Sequence, residues 1–146
     1  MFQVSAMTIA AVTSTAGGVD IDSSGTLPAS GAHRVIHCSQ YAICTTTIGA
    51  IQATASSQTV DIDAAGNIAL AAVTSDAALT IDATNSGTVT CNGNLESEAG
   101  SVAITAAGAV TTKGTIQATA SSQTITIQAG GASTIGDSGE SDDVTA

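Results

Sequence analysis

The sequence predicts an all-β fold, a parallel β-solenoid, on three observations. The nonapeptide IQATASSQT occurs twice, at Ile51–Thr59 and Ile116–Thr124, about 65 positions apart. A short apolar-x-Ile strand recurs along the chain at intervals of roughly 21 residues. The apolar side chains are almost all Ala, Val, Ile and Leu, with one Tyr, one Phe and no Trp in 146 residues. A repeat in so short a chain implies one unit stacked on itself, because a single unit cannot bury its own apolar face. Small and β-branched side chains suit a narrow interior between closely packed short strands.

In chain order the apolar-x-Ile strands are Val19-Asp20-Ile21, Tyr41-Ala42-Ile43, Val60-Asp61-Ile62, Leu79-Thr80-Ile81, Val102-Ala103-Ile104 and Ile125-Thr126-Ile127. Tyr41–Ile43 is placed in the middle of the long gap between Val19 and Val60, which makes six units. After the strand comes a small residue and then glycine, at Gly25, Gly66, Gly87, Gly108 and Gly130. A further apolar point comes next at Leu27, Ile68, Val89 and Val110, and another precedes each strand at Val12, Ile51, Val73, Leu95 and Ile116. Each unit therefore holds three short alternating segments. Period-two alternation marks half-buried strands, and glycine is expected to supply positive φ at the corners. Helix is disfavoured by Thr, Val, Ile, Ser and Gly in every window. A β-sandwich also uses short strands, but it does not call for near-identical segments at a fixed period. Coils stacked at the strand spacing would form a rod on the order of 30 Å long.

One solenoid domain is expected over residues 1–135. Residues 28–48 read as an irregular coil or loop insertion, since GAHRVIHCSQYAIC fits the pattern poorly and Pro28 stands near its entrance. Residues 136–146 read as an acidic cap or disordered tail. The opening MFQVSAMTIAAVTSTAGG lacks a positive leading region and makes a poor signal peptide. An exported protein of this sequence would carry its signal elsewhere or be a piece of something longer. No run of about eighteen apolar residues occurs, so no membrane insertion is expected.

Charge narrows the partners. The chain has two basic residues, Arg34 and Lys113, against twelve acidic ones, for a net charge of −10. Nucleic-acid binding requires Lys and Arg to replace phosphate counterions, so it is not expected. Docking on an anionic membrane is disfavoured for the same reason.

The segments VDIDAAGNIAL (Val60–Leu70), LTIDATNSGTVT (Leu79–Thr90) and SVAITAAGAVTTKG (Ser101–Gly114) resemble the repeats of filamentous-haemagglutinin-like exoproteins. The resemblance is good over residues 50–135 and weak over 12–27. It implies a right-handed parallel β-helix, here about six coils of roughly 21 residues. It also implies a structural or adhesive segment of a secreted bacterial surface protein, extracellular or at the cell surface. The partners it implies are other copies stacked end to end, further coils of a longer chain, or glycans. The family's secretion domain is not recognisable in this sequence, and its rods contain many more units.

Alternation places Asp20, Asp22, Asp61, Asp63 and Asp82 on the outside. Asp22, Asp63 and Asp82 fall on one face, a candidate calcium stripe because stacked carboxylates repel and calcium takes oxygen ligands. The favoured reading is a solvated acidic stripe that keeps strand faces from sticking. Paired carboxylates also serve glycosidases, but such an acid needs a raised pKa in a cleft. Arg34 and Lys113 stand alone, without the basic partners a polysaccharide lyase uses. No catalytic residue is assigned, and no enzyme is expected. His33, His37, Cys38 and Cys44 do not have zinc-site spacing. Three cysteines leave at least one unpaired; Cys38 and Cys44 either bridge a short loop or, with Cys91, are small buried hydrophobes. An ice-binding face needs the same T-x-T on successive coils, and the outward row Asp20, Ala42, Asp61, Thr80, Ala103, Thr126 is mixed.

Overall fold

A computed structural model describes residues 6–14, 19–23, 45–136 and 144–145. The chain winds through three strands per coil. The first coil holds β1 (Ala6–Ile9), β2 (Val12–Ser14) and β3 (Val19–Ser23). The second holds β4 (Thr45–Ile48), β5 (Ile51–Ala53) and β6 (Val60–Ala64), and the third β7 (Ile68–Leu70), β8 (Val73–Ser75) and β9 (Leu79–Ala83). The fourth holds β10 (Val89–Cys91), β11 (Leu95–Ser97) and β12 (Val102–Ala106), and the fifth β13 (Val110–Thr112), β14 (Ile116–Ala118) and β15 (Ile125–Ala129). Strands β16 (Ser133–Ile135) and β17 (Val144–Thr145) begin a sixth. Like strands stack in parallel into three sheets: β1-β4-β7-β10-β13-β16, β2-β5-β8-β11-β14-β17 and β3-β6-β9-β12-β15. The all-β solenoid expected from the repeat is what the chain forms.

The coil count differs from the expected six. Val19 pairs directly with Val60, Ile21 with Ile62 and Ser23 with Ala64, so no rung intervenes between β3 and β6. The third sheet has five rungs and hence four turns between its first and last strands. Tyr41–Ile43 lies outside the described residues. Spacing in the sequence cannot separate a stacked coil from an insertion; only backbone pairing does. Strand β4 already belongs to the stack, although residues 45–48 read as irregular in the sequence.

Register turns the repeat into columns. In the third sheet the inward columns are Val60, Leu79, Val102, Ile125 and Ile62, Ile81, Ile104, Ile127, with Ala64, Ala83, Ala106 and Ala129 as a third. Val19, Ile21 and Ser23 of β3 hold the register positions next to Val60, Ile62 and Ala64. Ile62, Ile81 and Ile104 are fully buried, as are Leu79, Leu95 and Ile116 from the other coils and sheets. Each such side chain contributes about 1.5–3 kcal/mol by leaving water.

Polar side chains tie successive coils together at the corners. The Thr88 amide and hydroxyl both donate to Asn67 Oδ1 of the coil before, at 3.0 and 3.1 Å. One corner on, the Thr115 amide donates to Asn94 Oδ1 at 3.2 Å. At the next corner the Thr124 amide donates to Ser101 Oγ at 3.1 Å, and that hydroxyl donates to Gln123 Oε1 at 3.0 Å. Ser75 and Ser97 are buried among apolar columns yet satisfied. The Ser97 hydroxyl donates to the Ala77 carbonyl at 2.6 Å and accepts from the Gly100 amide at 3.0 Å. Buried hydroxyls persist only with such partners.

Glycine plays a different part from the one expected. Among the described residues the positive-φ positions are Ser57, Asn85, Ser86, Ser122 and Gly136. The strand-following glycines are there for closeness. A Cβ at Gly87 would stand 2.3 Å from the Gly66 carbonyl oxygen of the coil below, so two coils touch backbone to backbone.

Candidate functional site: the outer face of the third sheet

Residues Asp22, Asp63 and Asp82 share one register column of the third sheet, since Asp22 pairs with Asp63 and Asp63 with Asp82. The column continues as Thr105 and Gln128. Beside it runs Asp20, Asp61, Thr80, Ala103, Thr126. Acidic residues thus hold these register positions on the first three coils, and neutral residues on the last two. Neighbouring strands lie about 4.8 Å apart, so the positions form a row. Among the described residues no group of three or more His, Cys, Asp or Glu side chains converges as a metal ion requires. His33, His37, Cys38 and Cys44 lie outside the described residues.

Among the described links from the third sheet to the first, the longest borders this face. Residues 65–67, 107–109 and 130–132 link the third sheet to the first on other coils, but residues 84–88 do so between β9 and β10. The longer link carries two consecutive left-handed residues, Asn85 (φ 49°) and Ser86 (φ 65°). Each costs roughly 1–2 kcal/mol in an L-residue, somewhat less for Asn. The loop is held at its base: the Thr84 amide donates to the Ala64 carbonyl at 2.9 Å, the Gly87 amide to the Thr84 carbonyl at 2.7 Å, and the Gly108 amide to the Gly87 carbonyl at 2.8 Å. Below it lies a groove of about 440 Å³ that runs across the third, fourth and fifth coils. Asp82, Thr105 and Gln128 line one wall, Thr84 and Asn85 the head, and Ala107 and Gly130 belong to the shorter corners beneath. The Thr84 hydroxyl donates to the Ala64 carbonyl at 3.3 Å. Within the described residues no hydrogen bond engages the side chains of Asp82, Asn85, Thr105 or Gln128.

Two other features sit on the first sheet. Its outward column reads Thr8, Thr47, Ala69, Thr90, Thr111, Thr134. The mixed row expected from the sequence holds for the third sheet; this nearly unbroken threonine row lies on other strands than the apolar-x-Ile ones. It is a single column, not T-x-T. Cys91 belongs to the inward column Ile48, Leu70, Cys91, Thr112, Ile135. It is a free, fully buried thiol, and burial pushes its pKa up to about 12. It is a core residue, inert as a nucleophile.

Among the described residues no helix is long and apolar enough to cross a membrane. Comparison with known protein families, curated proteins and solved structures finds no match to this chain.

Proposed function

We propose that this chain is a structural segment of an exported bacterial surface fibre or adhesin, able to stack end to end. The observation that carries this reading is the stack itself. Like strands pair in parallel and in register from coil to coil through three sheets, so each coil offers its neighbour the same backbone ladder and the same apolar columns. The outward positions support the same reading: they change from coil to coil while the inward ones hardly do, as befits a scaffold. Export and surface location rest on the resemblance of the repeats and on the polar exterior.

Electron microscopy and small-angle scattering of the purified protein test the reading. Rods that lengthen with concentration are expected. Compact particles that stay monomeric at high concentration would overturn it.

A second reading, a calcium-binding module, rests on the register that aligns Asp22, Asp63 and Asp82. It requires the melting temperature to fall when a chelator is added; an unchanged melting temperature removes it.

A further inference from the structure

The geometry points to the groove beneath the Thr84–Gly87 loop as a binding site for a neutral oligosaccharide chain. Three independent features meet there. The first is architectural. In a solenoid, insertions in single repeats become loops on one face, and that face is often the binding face. Among the described links from the third sheet to the first, residues 84–88 are two residues longer than the others, and Thr84 and Asn85 make the head of the groove. The second is conformational. Asn85 and Ser86 are both left-handed, in a chain whose other described corners use at most one such residue. Strained non-glycine backbone concentrates at ligand clamps, where the surrounding structure enforces it. The backbone contact of Gly87 with Gly66 and the bonds at Thr84 enforce it here.

The third feature is chemical. Asp82, Asn85, Thr105 and Gln128 point a carboxylate, two amides and a hydroxyl toward one concavity without internal partners among the described residues. Carboxylates and primary amides bind vicinal hydroxyls in pairs, the amide donating and accepting at once. Columns one strand apart repeat these groups every 4.8 Å or so, and the groove's three coils span roughly 10 Å, room for about two sugar rings. No basic residue lines the groove, and the chain carries a net charge of −10, so uronates, sulfated sugars and nucleic acids are repelled. No aromatic ring lines it either, so a single sugar gains no stacking. Affinity must therefore accumulate along an extended neutral chain. An extended peptide would look for apolar side-chain pockets, and the small residues of the floor offer none.

Amide chemical shifts of the intact chain, titrated with neutral hexasaccharides, test the proposal. The probes are β1,4-linked glucose, β1,3-linked glucose and β1,4-linked N-acetylglucosamine, with a hexameric uronate and an extended neutral peptide as controls. The expected result is that at least one neutral hexasaccharide shifts the amides of residues 84–87, 105 and 128, about tenfold more tightly than its monosaccharide. Asn85→Gly keeps the backbone conformation and deletes the amide, and Gln128→Ala deletes an exposed one. The double variant is expected to lose about tenfold in affinity while its melting temperature stays within about 2 °C. The proposal is overturned if no neutral hexasaccharide shifts these amides at about 10 mM, an affinity weaker than any useful site. Preference for the uronate or the peptide, or undiminished binding by the double variant, overturns it equally. Stacking is a separate matter: a monomer that binds sugar sinks the fibre and keeps the groove, and a sugar-blind filament does the reverse.

Discussion

The two copies of IQATASSQT occupy equivalent places in the solenoid, but the strands that come after them, β6 and β15, do not. Ile51 and Ile116 stand in one column, three strands apart through Val73 and Leu95. Ile51, Ala53, Ile116 and Ala118 are all buried. Ser57 and Ser122 both take left-handed φ, 64° and 69°. Immediately afterwards the copies part. Val60, Ile62 and Ala64 of β6 are buried, whereas Ile125, Ile127 and Ala129 of β15 are half-buried. Propensity and alternation are alike in the two strands. Strand β6 lies between β3 and β9, while among the described residues β15 pairs with β12. The same contrast reaches the turn: Gln123 Oε1 accepts from Ser101 at 3.0 Å, and Gln58 Oε1 is buried without a partner among the described residues. A repeat dictates the local path of the chain, and its neighbours dictate what that path is worth.

Paired substitutions break or sharpen this contrast. Ile62→Ala should cost about 2–5 kcal/mol, and Ile127→Ala less than about half of that, read by denaturant melts in dilute solution. Equal losses would mean that β15 is covered in solution. The buried thiol gives the next effect. Burial holds the Cys91 thiol at about 12 in the folded chain, against 9.0 for a solvated thiol. Its contribution is complete below pH 9 and declines as the pH rises toward 12, at a limiting rate of about 1.4 kcal/mol per pH unit, because the unfolded chain loses a proton that the folded one keeps. Cys91→Val should flatten that alkaline decline; an unchanged slope would show that other groups cause it. Ser101→Ala should leave Gln123 as Gln58 is, at a loss of about 1 kcal/mol. No change in stability would mean that water replaces the bond. The smallest effect belongs to the turns. Ser57→Gly and Ser122→Gly should each stabilise by up to about 0.5 kcal/mol, left-handed strain being relieved against a larger unfolded-state entropy. Matching values would confirm that the turn is a local property of the nonapeptide, and clearly unequal ones that the neighbouring coils set it.

Much of the architecture is legible in the sequence because period-two strands and a regular spacing leave few alternatives. The columns through Ile62, Ile81 and Ile104 emerge directly from the aligned apolar-x-Ile text, and so does the shared register of Asp22, Asp63 and Asp82. The coil count is not legible. A strand-like tripeptide at mid-gap, Tyr41–Ile43, satisfies a spacing rule, whereas the backbone pairs Val19 with Val60. The role of glycine is ambiguous because closeness between coils and positive φ favour the same residue. The groove leaves no signal at all. Asn85 and Ser86 look like ordinary turn residues, and only the backbone shows that both are left-handed in one corner.

The sequence by itself determined the unit: strand, small corner, strand, with apolar side chains inward and polar ones outward, because alternation and corner size are local steric properties. Tertiary structure decided which units are neighbours and which corner carries two left-handed residues. Those are outcomes of backbone pairing between residues far apart in the chain, and the backbone is the part that every residue shares.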